Sequence, residues 1–186
     1  MRFMFDEART AQAAAYLVGL NGGVMNYMVL IKLLYLSDRQ SLIETGLTIT
    51  GDHMVSMPHG PVLSRTLDLI KTPDGAERSP WHEYMLTRPG PREVKLRDSD
   101  PETDELSRYH LEILKGVYCA YGKMGKYKLR DWTHALPEWE DPKGSSRPIE
   151  PETILTKAGV SKERIADFER DATRDWMLRS LERNLA

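Results

Sequence analysis

A run of apolar residues at helical spacing constrains the fold of this chain more than any other feature. Met28, Ile31, Tyr35 and Leu42 follow one another at steps of three, four and seven residues, and further leucines flank them. This spacing is that of one helix face, and apolar residues on much of the circumference indicate that the helix is enclosed. The sequence therefore predicts a central helix over about residues 27–45.

Glycine, proline and β-branched residues follow this helix and indicate a change of structure. Gly46 suits the left-handed conformation found at helix C-termini. Residues 47–57 combine β-branched side chains with a turn, which predicts a short β-element. His59, Gly60 and Pro61 then predict a corner, because Gly60 should be extended before proline and Pro61 suits the first position of a helix.

Helical periods recur before and after this region, with a Pro-rich stretch between the last two helices. The other expected helices cover residues 6–20, 61–71, 101–121, 129–136 and 161–184. Two short strands are expected at residues 82–87 and 93–96, joined by a hairpin tip at residues 88–92 that contains two prolines. In the helix expected at residues 101–121, Cys119 lies in an apolar run and is expected to be a small buried thiol.

The sequence predicts a mainly α-helical α+β fold in which the central helix is surrounded by helices, with short β-hairpins on one edge. Residues 137–151 contain four prolines with Gly144, Ser145 and Ser146, which is typical of a loop or linker. We therefore expect one domain over residues 1–139. Residues 140–186 should form a Pro-rich loop and a C-terminal helical extension packed on the same domain.

The composition excludes several classes of protein. The chain has 186 residues, with 26 Lys and Arg against 28 Asp and Glu, which leaves a formal charge of -2. This balance gives no global attraction to phosphate backbones or anionic lipids. The N-terminal residues do not resemble a signal peptide, and no apolar stretch approaches membrane-spanning length. We expect a cytoplasmic protein with no membrane attachment.

A search for catalytic constellations gives no support for an enzyme. Ser64, His59 and Asp52 formally supply a nucleophile, a base and an acid, but the nucleophile-elbow motif G-x-S-x-G is absent. The five histidines form no H-x-x-x-H pair, and the single cysteine has no C-x-x-C partner. No Gly-rich phosphate loop is present. We therefore expect a protein without catalytic residues, metal or cofactor.

The central helix offers a surface for a protein partner. Lys32, Tyr35 and Arg39 should lie on one side of it, because seven residues make close to two turns. An aromatic ring flanked by two cations suits an acidic partner surface. The alternative is that Tyr35 belongs to the core and the cations pair with nearby acids, namely Asp38, Glu44 or Asp52.

A second binding hypothesis concerns nucleic acid. The stretch from Lys115 to Arg130 combines five cations with Tyr118, Tyr121 and Tyr127 around a join that is similar to a helix-turn-helix. Such a patch would suit a nucleic-acid-binding transcriptional regulator. The slightly acidic global balance disfavours it, and the cations could equally be the solvated side of a loop.

Several short motifs together resemble one known family. They are KLLYLSDR at residues 32–39, Gly46, Thr50-Gly51-Asp52, His59-Gly60-Pro61-Val62, Thr133-His134 and Trp139. The pattern resembles the Panacea domain, which is also described as the SocA-like antitoxin domain. The likeness covers roughly residues 8–139, and the first block is its specific part.

This resemblance implies an antitoxin of a bacterial or phage toxin–antitoxin system, which binds and neutralises a protein toxin encoded by an adjacent gene. It also implies that such a protein can be a proteolytic adaptor, delivering its toxin to a Clp-type protease. Within that frame, the Lys32, Tyr35 and Arg39 strip is the predicted toxin contact. A homodimer through the last helix stays open.

The remaining residues of the pattern are expected to have structural roles. Asp52 should hold its turn, and His59 should satisfy a buried carbonyl. The full structural set is Gly46, Gly51, Asp52, His59, Gly60, Pro61, His134 and Trp139.

Overall fold

A computed structural model describes residues 1–72, 79–87 and 92–185. The helices in these ranges are α1 (Glu7–Leu20), α2 (Tyr27–Thr45), α3 (Ser64–Lys71), α4 (Pro80–Tyr84), α5 (Arg108–Tyr121), α6 (Lys126–His134), α7 (Pro151–Lys157) and α8 (Lys162–Leu185). The strands are β1 (Val24–Asn26), β2 (Met54–Met57), β3 (Gly60–Leu63), β4 (Met85–Thr87), β5 (Glu93–Leu96) and β6 (Arg147–Pro148). The predicted class, a mainly helical α+β fold, is confirmed. No helix in the described ranges is long and apolar enough to cross a membrane.

Helix α1 packs closely because its buried face is made of small side chains. The carboxylate of Asp6 caps it by accepting a hydrogen bond from the backbone N–H of Arg9 at 3.0 Å. Alanines at four positions of the helix are fully buried, namely Ala11, Ala13, Ala14 and Ala15. Such small residues let α1 approach α2, α4 and α5.

Helix α2 is the central element, as predicted. Asn26 caps its start by accepting a hydrogen bond from the N–H of Met28, and Gly46 ends it with a φ of 78°. A side chain at Gly46 would collide with the ring of Phe168 from α8, since a Cβ there would lie 2.3 Å from the nearest ring atom. Gly46 therefore ends α2 and also allows α8 to pack against that end.

Two antiparallel three-stranded sheets flank the helices. One has the strand order β1-β5-β4 and the other β3-β2-β6. In the second sheet β2 and β3 form a hairpin whose last paired residues are Met57 and Gly60. The sheets are short, so they position loops around α2 and contribute little core of their own.

The predicted conformation of the 59–61 corner is wrong. Gly60 has a φ of +90° and is not extended, while Pro61 lies in β3 opposite Ser56. The next helix begins at Ser64. Proline fits here because β3 is an edge strand of its sheet, where a missing N–H costs no ladder hydrogen bond.

The strand expected at residues 82–87 is half helical. Helix α4 begins with Pro80 at its first position and carries the fully buried Trp81, so only residues 85–87 remain as strand β4. The predicted proline-containing tip lies largely outside the described residues, at 88–91. The predicted end of the preceding helix at residues 73–75 also lies outside them.

Helix α5 is shorter than expected, and its cysteine points outward. The helix starts at Arg108 after a capping box formed by Ser107 and His110. Its buried stripe comprises Ile113, Leu114, Val117 and Tyr118. The expected burial of Cys119 is wrong, because it lies outside that stripe and is exposed.

The residues after 139 contact the helical body at several points. Strand β6 pairs with β2, and Ile149, Ile154 and Leu155 are buried. Helix α7 packs on α2, and α8 buries Phe168 and Ala172. The division at residues 139 and 140 stays a prediction.

A buried chain of hydrogen bonds holds the loop between α2 and β2. Asp38 of α2 accepts hydrogen bonds from the N–H groups of Ile49 and Thr50 at 2.9 and 3.0 Å and from the Thr50 hydroxyl. The same hydroxyl accepts one from the N–H of Asp52 at 3.1 Å. Asp38 is fully buried. The loop backbone is therefore satisfied by α2 and not by a sheet.

Asp52 continues this chain into α3. Its carboxylate accepts hydrogen bonds from the N–H of Arg65 at 3.0 Å, and from the N–H and hydroxyl of Thr66 at 2.8 and 2.7 Å. The N-cap residue of α3, Leu63, makes no side-chain hydrogen bond. Asp52 instead satisfies two free N–H groups at the start of α3, from 13 and 14 residues away in the chain.

Replacing Asp38 with alanine should destabilise the protein strongly. Two backbone N–H groups and one hydroxyl would lose their buried acceptor, which costs about 3 kcal/mol or more. Asp38→Asn should cost less, because its amide oxygen can still accept from the backbone. Urea unfolding measures both, and the exposed Asp68→Ala is the control, with an expected effect within about 0.5 kcal/mol. An Asp38→Ala protein as stable as that control would contradict this role.

Candidate functional site

The predicted Lys32, Tyr35 and Arg39 strip is not on the surface. All three side chains lie on one side of α2 as expected, but Lys32 is 1% exposed and Tyr35 is 0% exposed. Arg39 keeps partial exposure. The expectation of an exposed strip is therefore wrong, because hairpin β2–β3 and the segment after α6 cover this side of the helix. A contact between these residues and a toxin stays a prediction.

Tyr35 and Arg39 share one buried carboxylate. The Tyr35 hydroxyl donates to Oε1 of Glu138 at 3.0 Å, and Arg39 donates through Nε to Oε1 at 2.6 Å and through Nη2 to Oε2 at 3.2 Å. Burial and then Glu138 raise the pKa of Tyr35 well above its usual value, so the phenol keeps its proton. These bonds fix the segment after α6 to the middle of α2.

Glu138 was missed by sequence reasoning. The alternative that Tyr35 belongs to the core is correct, but the acid that pairs with Arg39 is none of the three that were proposed. Asp38 and Asp52 accept hydrogen bonds from loop backbone, and Glu44 accepts from Gln40 and Tyr109. In the sequence, Glu138 is marked only by its position next to the motif residue Trp139.

Lys32 is a buried cation with a single strong contact. Its Nζ donates to the carbonyl oxygen of Pro61 at 2.7 Å. Burial lowers the pKa of Lys32 to about 7, since removal from water disfavours the ammonium form. The folded protein therefore holds the Lys32 proton less tightly than the unfolded chain does.

The motif residues from distant parts of the chain meet at Gly60. A Cβ at this position would lie 2.7 Å from Nζ of Lys32, 2.9 Å from Oγ1 of Thr133 and 2.9 Å from Cδ2 of His134. With its positive φ, Gly60 is the residue type that both the backbone and the space require. We call Lys32, Tyr35, Arg39, Gly60, Thr133, His134 and Glu138 the buried frame.

Trp139 closes one side of the buried frame. Its ring stacks on His134 with 4.2 Å between centroids and 10° between planes, and its Nε1 donates to the carbonyl oxygen of Met57 at 3.2 Å. Burial lowers the pKa of His134, and the charges of Lys32 and Arg130 lower it further. Its buried Nε2 has no hydrogen-bond partner in the part of the chain that the structure describes.

His59 and Gly51 have different surroundings from the rest of the motif. The His59 side chain is exposed, so the expectation that it satisfies a buried carbonyl is wrong. Gly51 has a φ of +70°, and a Cβ there would lie 2.0 Å from the carbonyl oxygen of Met4. Gly51 thus allows the N-terminal segment to pass close to the loop between α2 and β2.

The proposed basic and aromatic patch is only partly exposed. Tyr118 is buried, and Tyr121 packs against Trp132 with 4.5 Å between ring centroids. Tyr127 is 57% exposed, and both Lys126 and Arg130 lie over its ring.

Within residues 1–72, 79–87 and 92–185, no group of His, Cys, Asp or Glu is arranged to hold a metal ion.

These observations define a class of protein. It is a mainly helical α+β domain in which buried polar side chains of an enclosed central helix hydrogen-bond to the surrounding loops and to a β-hairpin. The chain belongs to the family described as antitoxin SocA-like, Panacea domain, whose model matches residues 30–140. All residues of the buried frame lie within the matched region. Comparison with curated proteins and with solved structures gives no match.

Replacing Gly60 with alanine should destabilise the protein by about 2 kcal/mol or more, since the positive φ and the crowding against backbone-anchored neighbours are both unfavourable. The matched control is Gly116→Ala in α5, where nothing lies within 4 Å of the added Cβ. That change should stabilise by up to about 1 kcal/mol. Thermal unfolding of both variants measures the difference, and equal melting temperatures would undo the assigned crowding.

The stability of the wild type should rise with pH relative to Lys32→Met. The unfolded chain holds the lysine proton up to about pH 10.5, whereas the folded protein releases it near pH 7. Stability therefore increases between these values, by about 2 kcal/mol from pH 7 to pH 9. Other titrating groups cancel in the difference between the two proteins. Parallel pH profiles from urea unfolding would show that Lys32 titrates normally.

Proposed function

We propose that this protein is an antitoxin that binds and neutralises a cognate protein toxin encoded next to its gene. The observation that supports it most is the match to the antitoxin SocA-like, Panacea domain family, which includes every residue of the buried frame. Binding alone is sufficient for this role, and we propose no catalysis. A dissociation constant of 1 nM, equivalent to about 12 kcal/mol, would keep little toxin free at cellular concentrations. We place this function in the cytoplasm.

We propose that α8 supplies the main toxin contact. Three large apolar side chains on this helix are exposed, at 55% for Met177, 56% for Leu178 and 60% for Leu181. The helix packs on the body through Phe168 and Ala172, so these three lie off its packed stripe. Apolar side chains rimmed by charged ones are typical of the centre of a protein interface.

Two further arguments favour a toxin on this surface. The Lys32 and Tyr35 side chains are enclosed and offer no area to a partner. Helix α8 lies beyond residue 140, outside the region matched by the family model, so it can carry the part of recognition that distinguishes one toxin from another. The surrounding Arg and Asp side chains would set orientation more than affinity.

Delivery of the bound toxin to a Clp-type protease is a second part of the proposal. A proteolytic adaptor shortens the half-life of its cargo, whereas a simple inhibitor stabilises it by binding. The toxin half-life in cells with and without the protease therefore separates the two. An unchanged half-life would leave neutralisation by binding alone.

The proposal is tested by expressing each adjacent gene alone and together with this protein. One neighbour should arrest growth when expressed alone, and co-expression should restore growth. The two proteins should also co-purify as a complex. If no neighbouring product is toxic, or if the toxic one is neither bound nor neutralised, the proposal is wrong.

Leu178→Glu should weaken the complex by about tenfold or more, because it places a charge in the centre of an apolar contact. Thr173→Glu adds the same charge at another exposed position of α8 and should leave binding unchanged. Titration calorimetry with the purified toxin measures both. If Leu178→Glu leaves toxin affinity unchanged but shifts the oligomeric state, the apolar surface of α8 is a homodimer interface instead.

A further inference from the structure

A basic groove lies on the outer side of the buried frame. It has a volume of about 260 Å³. Its lining residues are Asn26, Tyr27, Met28, His59, Arg92, Lys126, Tyr127 and Arg130. Neither the family match nor toxin neutralisation assigns a role to this groove.

The groove collects basic side chains from three separate parts of the chain. Arg92 precedes β5, Lys126 and Arg130 belong to α6, and His59 lies in the turn between β2 and β3. No Asp or Glu is among the residues that line it in the described structure. Such convergence of one sign of charge in a concave site concentrates anions there.

Two helix N-termini also face this groove. At the start of α2, Asn26 accepts from the N–H of Met28, and the N–H of Tyr27 donates to the carbonyl oxygen of Arg92 at 3.0 Å. The second bond fixes the Arg92 backbone beside the groove. Helix α6 begins at Lys126, and its N-cap residue Gly125 provides no side-chain cap, so an anion bound at this end would accept from the N–H groups of the first turn.

The pKa of a neighbouring histidine also indicates a positive potential near the groove. Burial lowers the pKa of His134, and the charges of Lys32, Arg130 and His59 lower it further. Of these residues, Arg130 and His59 line the groove. One carboxylate moderates this field. Asp131, which is exposed, accepts from Arg130 Nε at 2.8 Å and lies 2.6 Å from its Nη2.

We propose that this groove binds a phosphate monoester, such as the terminal phosphate of a nucleotide. Arg92 and Arg130 supply planar donors for phosphate oxygens, Lys126 supplies a point charge, and the start of α6 supplies backbone N–H groups. The exposed ring of Tyr127 forms an apolar wall beside them.

The size of the groove favours a compact ligand. Its volume lies just below the range of about 300–1,000 Å³ typical of small-molecule pockets, which suits a phosphate with a small substituent. A monoester carries close to two negative charges, whereas each phosphodiester or carboxylate carries one. A compact dianion therefore matches several cations around one small space better than an extended acidic chain does.

Binding is tested by titrating the full-length protein, without toxin, with inorganic phosphate and separately with adenosine 5′-monophosphate in phosphate-free, low-salt buffer. Binding of both ligands should reach saturation, and the NMR chemical shifts of residues 26–28 and 126–130 should change. Arg92→Ala and Lys126→Ala should each weaken binding by about tenfold. Asp131→Asn should strengthen it, because Arg130 is freed from its carboxylate partner.

The controls separate the monoester from other anions. Lys157→Ala removes an exposed lysine in α7, away from the groove, and should leave affinity unchanged. A single-stranded oligonucleotide with a 5′-phosphate should bind more tightly than the same oligonucleotide with a 5′-hydroxyl. Equal binding of the two would overturn the proposal in favour of a nucleic-acid backbone, and tighter binding of an oligoglutamate peptide in favour of an acidic protein segment. Absence of saturation with both small ligands would also overturn it, independently of toxin neutralisation.

Discussion

The structure depends on the burial of polar side chains on a helix that is itself enclosed. Lys32, Tyr35, Asp38 and Arg39 of α2 all face protein, and an unpaired polar group in that setting would cost several kcal/mol. Each is paired with a segment outside α2: a hairpin carbonyl, the Glu138 carboxylate or loop N–H groups. The hydrogen bonds of these α2 side chains therefore fix the positions of the irregular segments around the helix.

Close approach to α2 explains where glycine is needed. Gly60 brings the β2–β3 hairpin within reach of the Lys32 ammonium group, and Gly46 lets Phe168 of α8 lie over the end of the helix. At both positions the backbone has a positive φ and the space for a side chain is already filled. The hairpin and α8 are thus fixed to opposite halves of α2 by the same physical constraint.

Local signals in the sequence predicted α2 well, because spacing, an Asn cap and a terminal glycine all act within a few residues. The prediction for residues 59–61 was wrong because Pro61 suits both the first turn of a helix and an edge strand. Only the pairing with β2 decides between the two. Lys32 was expected on the surface because cations usually are. Its contact with Pro61 spans 29 residues and the pairing of Arg39 with Glu138 spans 99, and helical periodicity contains no information about either contact.

Enclosure of α2 also determines where partners can bind. A buried side chain that is already hydrogen-bonded contributes to the fold, and it can reach a partner only if the surrounding segments separate. The recognition surfaces that we propose lie on the outer faces, where Leu178 of α8 is exposed and Arg92 and Lys126 line the groove. One face is apolar and the other is cationic, so they suit different ligands. The frame can support both because neither surface takes a side chain from it.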